Sequence, residues 1–254
     1  MLQRAVREQI SREEWRQRVD LAAAFRLVAL YGWDDLIFTH LSARVPGPDY
    51  HFLINPYELM FEEITASSLV KIDVEGRPIF PTPYQVNAAG FTIHSAIHMA
   101  RHDVNAVIHL HTPCGQAVSA MKDGVLPLTQ TAMVAGHDLA FHDYEGIATV
   151  LDERERLAAD LGAKNTMLLR NHGTLACGDT IALAFVRMYF LERACEAQVK
   201  MLSAGLSALQ GPPEGVAQKV EQQSSGDKLK RVAERLAWPA LLRKLDRIDP
   251  GFRD

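Results

Sequence analysis

Helix-type and strand-type segments alternate along this chain without a regular strand–helix–strand rhythm. Residues 36–80 are divided into short extended pieces by Pro46-Gly47-Pro48 and Asn55-Pro56, whereas apolar residues recur at helical spacing near both ends of the chain. A regular rhythm would favour a parallel sheet. Its absence predicts an α/β fold with a mixed or largely antiparallel sheet that is covered by helices.

The individual segments follow from the same patterns. Helical spacing predicts helices over residues 1–31, 83–101, 116–120, 153–161, 180–203 and 228–246. Alternating or β-type residues predict strands or extended backbone over residues 36–40, 42–45, 51–54, 70–72, 106–112, 125–133, 136–141, 167–170 and 174–176. Pro83 is expected to open its helix. Residues 210–227 are polar and contain glycine and proline, so we expect a loosely held connection there.

Composition and charge exclude several classes of protein. The chain has 254 residues, 48% of them hydrophobic, and can therefore build a core as one large domain or two small ones. Its net charge of −4 argues against a nucleic-acid-binding protein. We find neither an apolar run of about 18 residues nor a signal region at the N-terminus, so we expect no membrane association. Three cysteines at no recurring spacing suit a cytoplasmic protein.

The strongest chemical signal is the pair His109 and His111 at the end of an apolar strand. Side chains two residues apart on a strand point to the same face, so both imidazoles are expected to project together. Two neutral imidazoles on rigid backbone suit a divalent metal, although solvated histidines would show the same short pattern. A third ligand must come from elsewhere, and His172 in the predicted turn Asn171-His172-Gly173 is the best candidate.

Other residues offer competing interpretations. His94, His98 and His102 are spaced four apart on the predicted helix, and such pairs can also bind zinc. The trio lacks the glutamate of the metalloprotease pattern, so it is the weaker metal site, and His94 is a candidate to support the strand histidines from behind. Cys114 is a possible nucleophile, but a small buried hydrophobic role is the simpler interpretation.

Three segments together resemble the class II aldolase/adducin superfamily. They read PTPYQVNAAGFTIHSAIH from residue 81, HLHTPCGQAVSA from residue 109 and LRNHGTLACGDT from residue 169. The tail around Ala237-Trp238-Pro239 and Ile248-Asp249-Pro250 is similar to the bacterial adducin-like branch.

The resemblance implies the domain organisation and the fold. We expect a class II aldolase/adducin-like domain over residues 1–205, followed by a linker and helical tail over residues 206–254 that packs on the domain or on a neighbouring subunit. The implied fold is a single three-layer α/β/α domain with a central, mainly antiparallel sheet. Members of the family are usually homotetramers with their sites at subunit interfaces.

The resemblance also implies a divalent metal. The positions that match the family's three histidine ligands are His109, His111 and His172, with zinc as the first expectation and manganese, iron or cobalt as alternatives, because imidazoles serve all four. The metal would act as a Lewis acid on a carbonyl or hydroxyl oxygen.

Several positions depart from the sugar-phosphate aldolases of this family. Gly90 stands where those enzymes carry an acid/base carboxylate, and Thr131 stands where a neighbouring subunit's tyrosine would donate a proton. Thr39-His40-Leu41-Ser42 and Tyr57-Glu58 replace the phosphate-binding segments, and a glutamate repels a phosphate. These departures argue against a phosphorylated sugar and leave the catalytic acid and base unassigned.

Three functions therefore remain open. The first is a metal-dependent lyase that cleaves or decarboxylates a small non-phosphorylated oxo- or hydroxy-acid, with His40, Gln130 and Asn171 as candidate substrate-binding residues. The second is a non-haem iron oxygenase, although the triad lacks the usual carboxylate ligand. The third is a non-catalytic adducin-like scaffold, for which three retained histidines would have no evident use.

Overall fold

The computed structural model describes residues 6–47, 50–146 and 152–254 and, at residues 88 and 89, the backbone alone. Residues 1–5 of the first predicted helix and Pro48 of the predicted turn lie outside the described residues. The strands are β1 (His40–Arg44), β2 (Phe52–Ile54), β3 (Val70–Ile72), β4 (Ala106–Leu110), β5 (Leu139–His142), β6 (Thr166–Leu169) and β7 (Gly173–Gly178). They form one sheet in the order β3-β2-β1-β4-β7-β6-β5.

Most neighbouring strands in this sheet run antiparallel, and β5 and β6 run parallel. In β4, Ile108 and Leu110 join the core on one face, while Val107 joins the core on the opposite face. Because side chains alternate along a strand, His109 points to the same face as Val107. The central, mainly antiparallel sheet is thus confirmed.

Helices cover both faces of the sheet. They are α1 (Arg12–Leu30), α2 (Ala88–Ala100), α3 (Pro113–Ser119), α4 (Gln130–Gly136), α5 (Glu153–Leu161), α6 (Ile181–Leu202), α7 (Val216–Ser224), α8 (Asp227–Val232) and α9 (Trp238–Ile248). The apolar residues of α1 and α6 share one core with the sheet, and those of α2 and α5 share the other. This arrangement confirms the three-layer α/β/α fold.

Some predicted segments differ from the structure. The strand predicted over 36–40 begins only at His40, because Leu36 adopts a φ of 50° and turns the chain. The helix expected from Pro83 begins at Ala88. Residues 130–133, predicted as extended, open helix α4, since the Thr129 hydroxyl accepts a hydrogen bond from the N–H of Ala132 at 3.1 Å and caps it.

The C-terminal residues pack against the first helix of the same chain. Trp238 is buried in the α1/α6 core, and its indole N–H donates to Asp20 at 3.0 Å. Phe252 is fully buried, and Arg26 forms an ion pair with Asp249 at 2.8 Å. Part of the polar stretch 210–227, which the sequence predicts to be loosely held, forms helix α7. Together with α8, α9 and the helical turns between and after them, it makes residues 206–254 mostly helical. No helix in the described ranges has both the length and the apolarity to cross a membrane.

Candidate metal centre

The two strand histidines meet where β4 ends. His109 lies on β4 between β1 and β7, opposite His40 on one side and Leu175 on the other, and it is fully buried. His111 follows the strand by one residue. The Nε2 atoms of His109 and His111 lie 2.9 Å apart, as the two-residue spacing predicts.

The third histidine comes from the turn between β6 and β7. The Nε2 of His172 lies 2.9 Å from that of His111 and 3.3 Å from that of His109. Asn171 adopts a left-handed φ of 56°, a conformation that asparagine tolerates better than most residues. A side chain on Gly173 would collide with the carbonyl oxygen of Leu110, so glycine lets this turn approach β4. The structure therefore brings the three predicted ligands together.

Hydrogen bonds fix which nitrogens of the triad carry protons. The Nδ1 of His109 lies 2.9 Å from the carbonyl oxygen of Thr174, which can only accept, so this Nδ1 donates and the neutral ring leaves a lone pair on Nε2. The Nδ1 of His111 lies 3.1 Å from the carboxylate of Asp35 and donates to it in the same way. Burial lowers the pKa of His109 well below its ordinary value and the pKa of His172 to about 4, so both rings are neutral near pH 7.

This arrangement fits a divalent metal. The lone pairs of His109 and His111 face each other at 2.9 Å, and a single N–H on His172 cannot satisfy both of them. A cation among the three nitrogens removes the repulsion. Zinc–nitrogen bonds of about 2.0–2.1 Å allow two ligand nitrogens to lie up to about 4.2 Å apart, and the observed separations fall within that range.

Asp35 is a site residue that the sequence patterns did not reveal. It lies in the connection between α1 and β1, and its carboxylate orients His111, a common arrangement for metal-binding histidines. Leu36 and Asn171 are the two non-glycine residues with positive φ in the described ranges, and each directly adjoins a residue of this site. Local backbone strain thus concentrates at the centre.

His40 fills the space beside Gly90. Its ring is buried, with its centroid 5.6 Å from that of His109. A Cβ atom built on Gly90 would lie only 2.5–2.9 Å from three atoms of the His40 ring. Gly90 carries no carboxylate, and the His40 imidazole occupies the space that a side chain at position 90 would enter.

The other predicted substrate-binding residues lie at the rim or apart. Asn171 is exposed beside His172, where its backbone shapes the turn. Gln130 is exposed at the start of α4, and the described hydrogen bonds include none between it and the triad. Glu58 is exposed and accepts hydrogen bonds from the backbone N–H of Gln85 at 3.0 and 3.1 Å.

The helical histidines do not converge as ligands. His94 and His98 both face the Ser42 hydroxyl, and His102 is exposed. Across the described part of the chain, the triad is the set with ligand spacing for a metal ion. Burial and neighbouring glutamates raise the pKa of the Cys114 thiol, which disfavours a nucleophilic thiolate.

A buried carboxylate supports the same strand ends from the α6 side. Glu192 accepts hydrogen bonds from Thr112, at 2.5 Å, and from Thr174, whose carbonyl oxygen holds His109. Burial raises the pKa of Glu192, and the two hydroxyls partly oppose that shift. Glu192 thus ties α6 to the two segments that carry the triad.

These features place the chain in a known family. Residues 19–199 match the family described as "Class II Aldolase and Adducin N-terminal domain", and the chain belongs to it. A protein of Caulobacter vibrioides, described only by its aldolase class 2 membership, is 56% identical over 250 residues, which cover 98% of this chain and 96% of that protein. Alpha-adducin of Mus musculus is 45% identical over 190 residues, which cover 74% of this chain but 26% of that protein.

Solved structures show the same fold. An aldolase II superfamily protein from Pseudomonas syringae superposes with a TM-score of 0.91 at 51% identity, covering 98% of this chain and 99% of that one. The L-fuculose 1-phosphate aldolase of Glaciozyma antarctica superposes with a TM-score of 0.82 at 28% identity, covering 95% of this chain and 93% of that one.

Proposed function

We propose that the protein is a divalent-metal-dependent lyase that cleaves or decarboxylates a small non-phosphorylated oxo- or hydroxy-acid. One observation carries the proposal: His109 and His111 are held with their Nε2 lone pairs converging on His172. Such an arrangement is costly unless a cation binds there. The similarity to an L-fuculose 1-phosphate aldolase supports aldolase-type lyase chemistry.

Each residue of the centre has a distinct role in this proposal. His109, His111 and His172 hold the metal, while Asp35 and the Thr174 carbonyl fix the orientation of two of those rings. A divalent metal held there supplies Lewis-acid stabilisation of the negative charge that develops on a substrate oxygen. Zinc is the first choice for three imidazoles, and iron, manganese or cobalt are the alternatives.

The charges around the centre favour an anionic chelating substrate. Three neutral histidines leave the positive charge of a divalent metal uncompensated, and the Asp35 carboxylate reaches it only through the far side of His111. A carboxylate that chelates through two oxygens compensates this charge. His40 offers a ring beside His109, where Gly90 carries no competing carboxylate. Glu58, in the segment that would bind phosphate, disfavours a phosphate group by repulsion.

We further propose a homotetramer. The support is the family to which the chain belongs, whose members are often tetramers. Helix α6 does not add to it, because Phe185, Met188 and Leu191 are already fully buried within the single chain. Light scattering after size-exclusion chromatography should give four times the mass of one chain, 28.3 kDa. A stable monomer at micromolar concentration would contradict the tetramer.

The experiment begins with metal content and continues with ligand titration. Elemental analysis of the purified protein, before and after metal is added back, should find close to one equivalent. Calorimetric titration of pyruvate, oxalate and dihydroxyacetone phosphate into the metal-loaded protein then ranks the ligands. We expect the two carboxylates to bind and the sugar phosphate to bind poorly. Tight binding and turnover of the sugar phosphate alone would identify an ordinary aldolase instead. Turnover that requires oxygen would identify an oxygenase.

The similarity to alpha-adducin favours a second candidate, a non-catalytic scaffold. The missing carboxylate at Gly90 agrees with it, whereas the preorganised triad does not. Less than about a tenth of an equivalent of metal, even after metal is added back, would favour the scaffold over the lyase.

A further inference from the structure

A row of buried polar side chains leads away from the metal centre between β1 and α2. His40, Ser42 and Arg44 lie two residues apart on β1 and share the face that looks toward α2, whereas Leu41 and Ala43 join the opposite core. On α2, His94 and His98 are four residues apart and therefore lie on one side of the helix. The polar side chains of β1 and the two histidines of α2 therefore face each other.

The contacts in this row are hydrogen bonds at its centre and ring packing at its inner end. The Ser42 hydroxyl lies 2.6 Å from His94 Nδ1 and 2.8 Å from His98 Nε2, so one hydroxyl links two rings. The His94 ring meets the His40 ring edge to face, with centroids 5.3 Å apart, and His40 in turn lies against His109. The inner end of the row is thus one imidazole away from the triad.

The outer end of the row approaches the surface. The Arg44 guanidinium donates to the carbonyl oxygen of His98 and is itself half-buried. The ring of His98 stacks on Phe52 with centroids 4.7 Å apart, while Tyr50 and His102 nearby are exposed. About four residues of strand, or roughly 13 Å, separate the metal centre from this rim.

His94, Ser42 and His98 can arrange their shared hydrogen bonds in two ways. A serine hydroxyl donates one hydrogen bond and accepts others, and a neutral imidazole has one N–H and one lone pair. If His94 Nδ1 donates to Ser42, then Ser42 donates to His98 Nε2, and both rings carry their proton on Nδ1. If the chain runs the other way, both rings carry it on Nε2. Burial lowers the pKa of His94 well below its ordinary value, and burial and Arg44 lower the pKa of His98 to about 3, so both rings remain neutral.

The outer nitrogens of the two rings are not used by the hydrogen bonds to Ser42. Among the described residues, His94 Nε2 is buried without a hydrogen-bond partner, whereas the His98 ring interacts with the backbone of Val104, which partly opposes the lowering of its pKa. A buried polar atom without a partner is costly, and three imidazoles in one interior layer would be an expensive way to fill space. Their placement in one line needs a functional reason.

We propose that His94, Ser42 and His98 form a proton relay that leads from the metal centre toward the protein surface. A proton that reaches the buried His98 Nδ1 displaces the Nε2 proton to Ser42, Ser42 passes its own proton to His94 Nδ1, and His94 gives up its Nε2 proton on the side of the metal centre. One proton enters and one leaves, and the chain is left in the opposite arrangement. Transfer in the outward direction restores it.

This proposal rests on the proposed metal centre, for which it supplies the proton path that the departures at Gly90 and Thr131 leave open. It requires that the two rings switch together. Long-range proton–nitrogen NMR of histidine-labelled protein reports which nitrogen of each ring is protonated, without substrate or turnover. We expect His94 and His98 to show equal Nδ1–H populations and one shared exchange rate.

Zinc tests the connection to the centre. A divalent cation at the triad repels an N–H that points toward it, so zinc should raise the Nδ1–H population of both rings together. In Ser42→Ala, zinc should still raise the Nδ1–H population of His94 but should no longer change that of His98. Ser42→Thr, which keeps a hydroxyl, should restore the change at His98. Ser95→Ala is the matched control, because this buried serine on α2 donates to the carbonyl oxygen of Thr92, at 3.3 Å, and not to the rings of the row.

Several results would overturn the relay. Fixed single tautomers on both rings in the unmodified protein, or different populations in the two rings, would show that the row is structural. Coupling that survives Ser42→Ala would show that the hydroxyl does not carry it. If zinc binds but shifts neither ring, the row does not communicate with the centre. If zinc does not bind at all, the metal centre itself is wrong, and the tautomer measurement still decides whether the rings are coupled.

Discussion

The tight contact between Gly90 and His40 makes Gly90→Ala an informative substitution. The new Cβ would lie 2.5, 2.7 and 2.9 Å from three atoms of the His40 ring, whereas ordinary contacts are 3.4–4 Å. The ring must therefore move by roughly 1 Å within a packed interior. Because alanine is favoured over glycine in a helix by up to about 1 kcal/mol, any loss of stability runs against helix propensity and reports the clash.

The expected cost follows from the behaviour of overpacked cores. Adding a methyl group to a well-packed site costs about 1–3 kcal/mol. In a chain of this size, about 1 kcal/mol shifts the melting temperature by about 2–4 °C, so Gly90→Ala should melt about 2–12 °C lower. The cost should largely disappear in the background of His40→Ala, which empties the space that the new methyl group needs.

Differential scanning calorimetry and urea unfolding of four proteins measure this coupling: the unmodified chain, the two single variants and the double variant. The coupling free energy should be about 1–3 kcal/mol. Gly136→Ala is the matched control, since nothing lies within 4 Å of a Cβ at that helical position. A Gly90→Ala variant as stable as the unmodified chain, or a loss that is the same with His40→Ala, would refute the argument. A Gly90→Glu variant would meet the same clash, so its effect on ligand binding can be interpreted only in the His40→Ala background.

Three further predictions address the metal centre and its surroundings. His109→Ala should lose the bound metal in elemental analysis, whereas His102→Ala, at an exposed position, should keep it; the reverse would assign the site to the set His94, His98 and His102. Asp35→Asn removes the carboxylate that orients one ligand ring and should weaken zinc affinity about 10–100-fold in competition with a chelator, and an unchanged affinity would remove Asp35 from the site. The pKa of His98 is lowered to about 3 in the folded protein, chiefly by burial, and is about 6.5 when unfolded. Below pH 6.5 this ring therefore binds a proton when the protein unfolds. As the pH falls from 6.5, this residue should lower the free energy of unfolding by about 1.4 kcal/mol per pH unit. In urea unfolding between pH 4 and 6, His98→Gln should remove that part of the slope, and an unaltered slope would contradict it.

The sequence by itself determined the features that depend on local periodicity. His109 and His111 are two residues apart in an apolar stretch, and the pleat of any strand then projects both rings from one face. The long helices α1 and α6 follow in the same way from apolar residues at helical spacing. Ser11 caps α1 as the sequence predicts, whereas Thr180, not Asp179, caps α6. The predicted turn Asn171-His172-Gly173 suggests the third ligand and the family motifs support it, since the spacing alone does not say which turn lies beside β4.

Tertiary structure decided everything that depends on which segments become neighbours. Antiparallel pairing of β1 with β4 places His40 opposite His109, and α2 crosses β1 so that His94 meets Ser42. Asp35 reaches His111 only because the chain turns at Leu36 into an unfavourable backbone conformation. No local pattern marks these contacts, because the residues are far apart in the chain and the free energy that holds them comes from burial in the assembled sheet and helices.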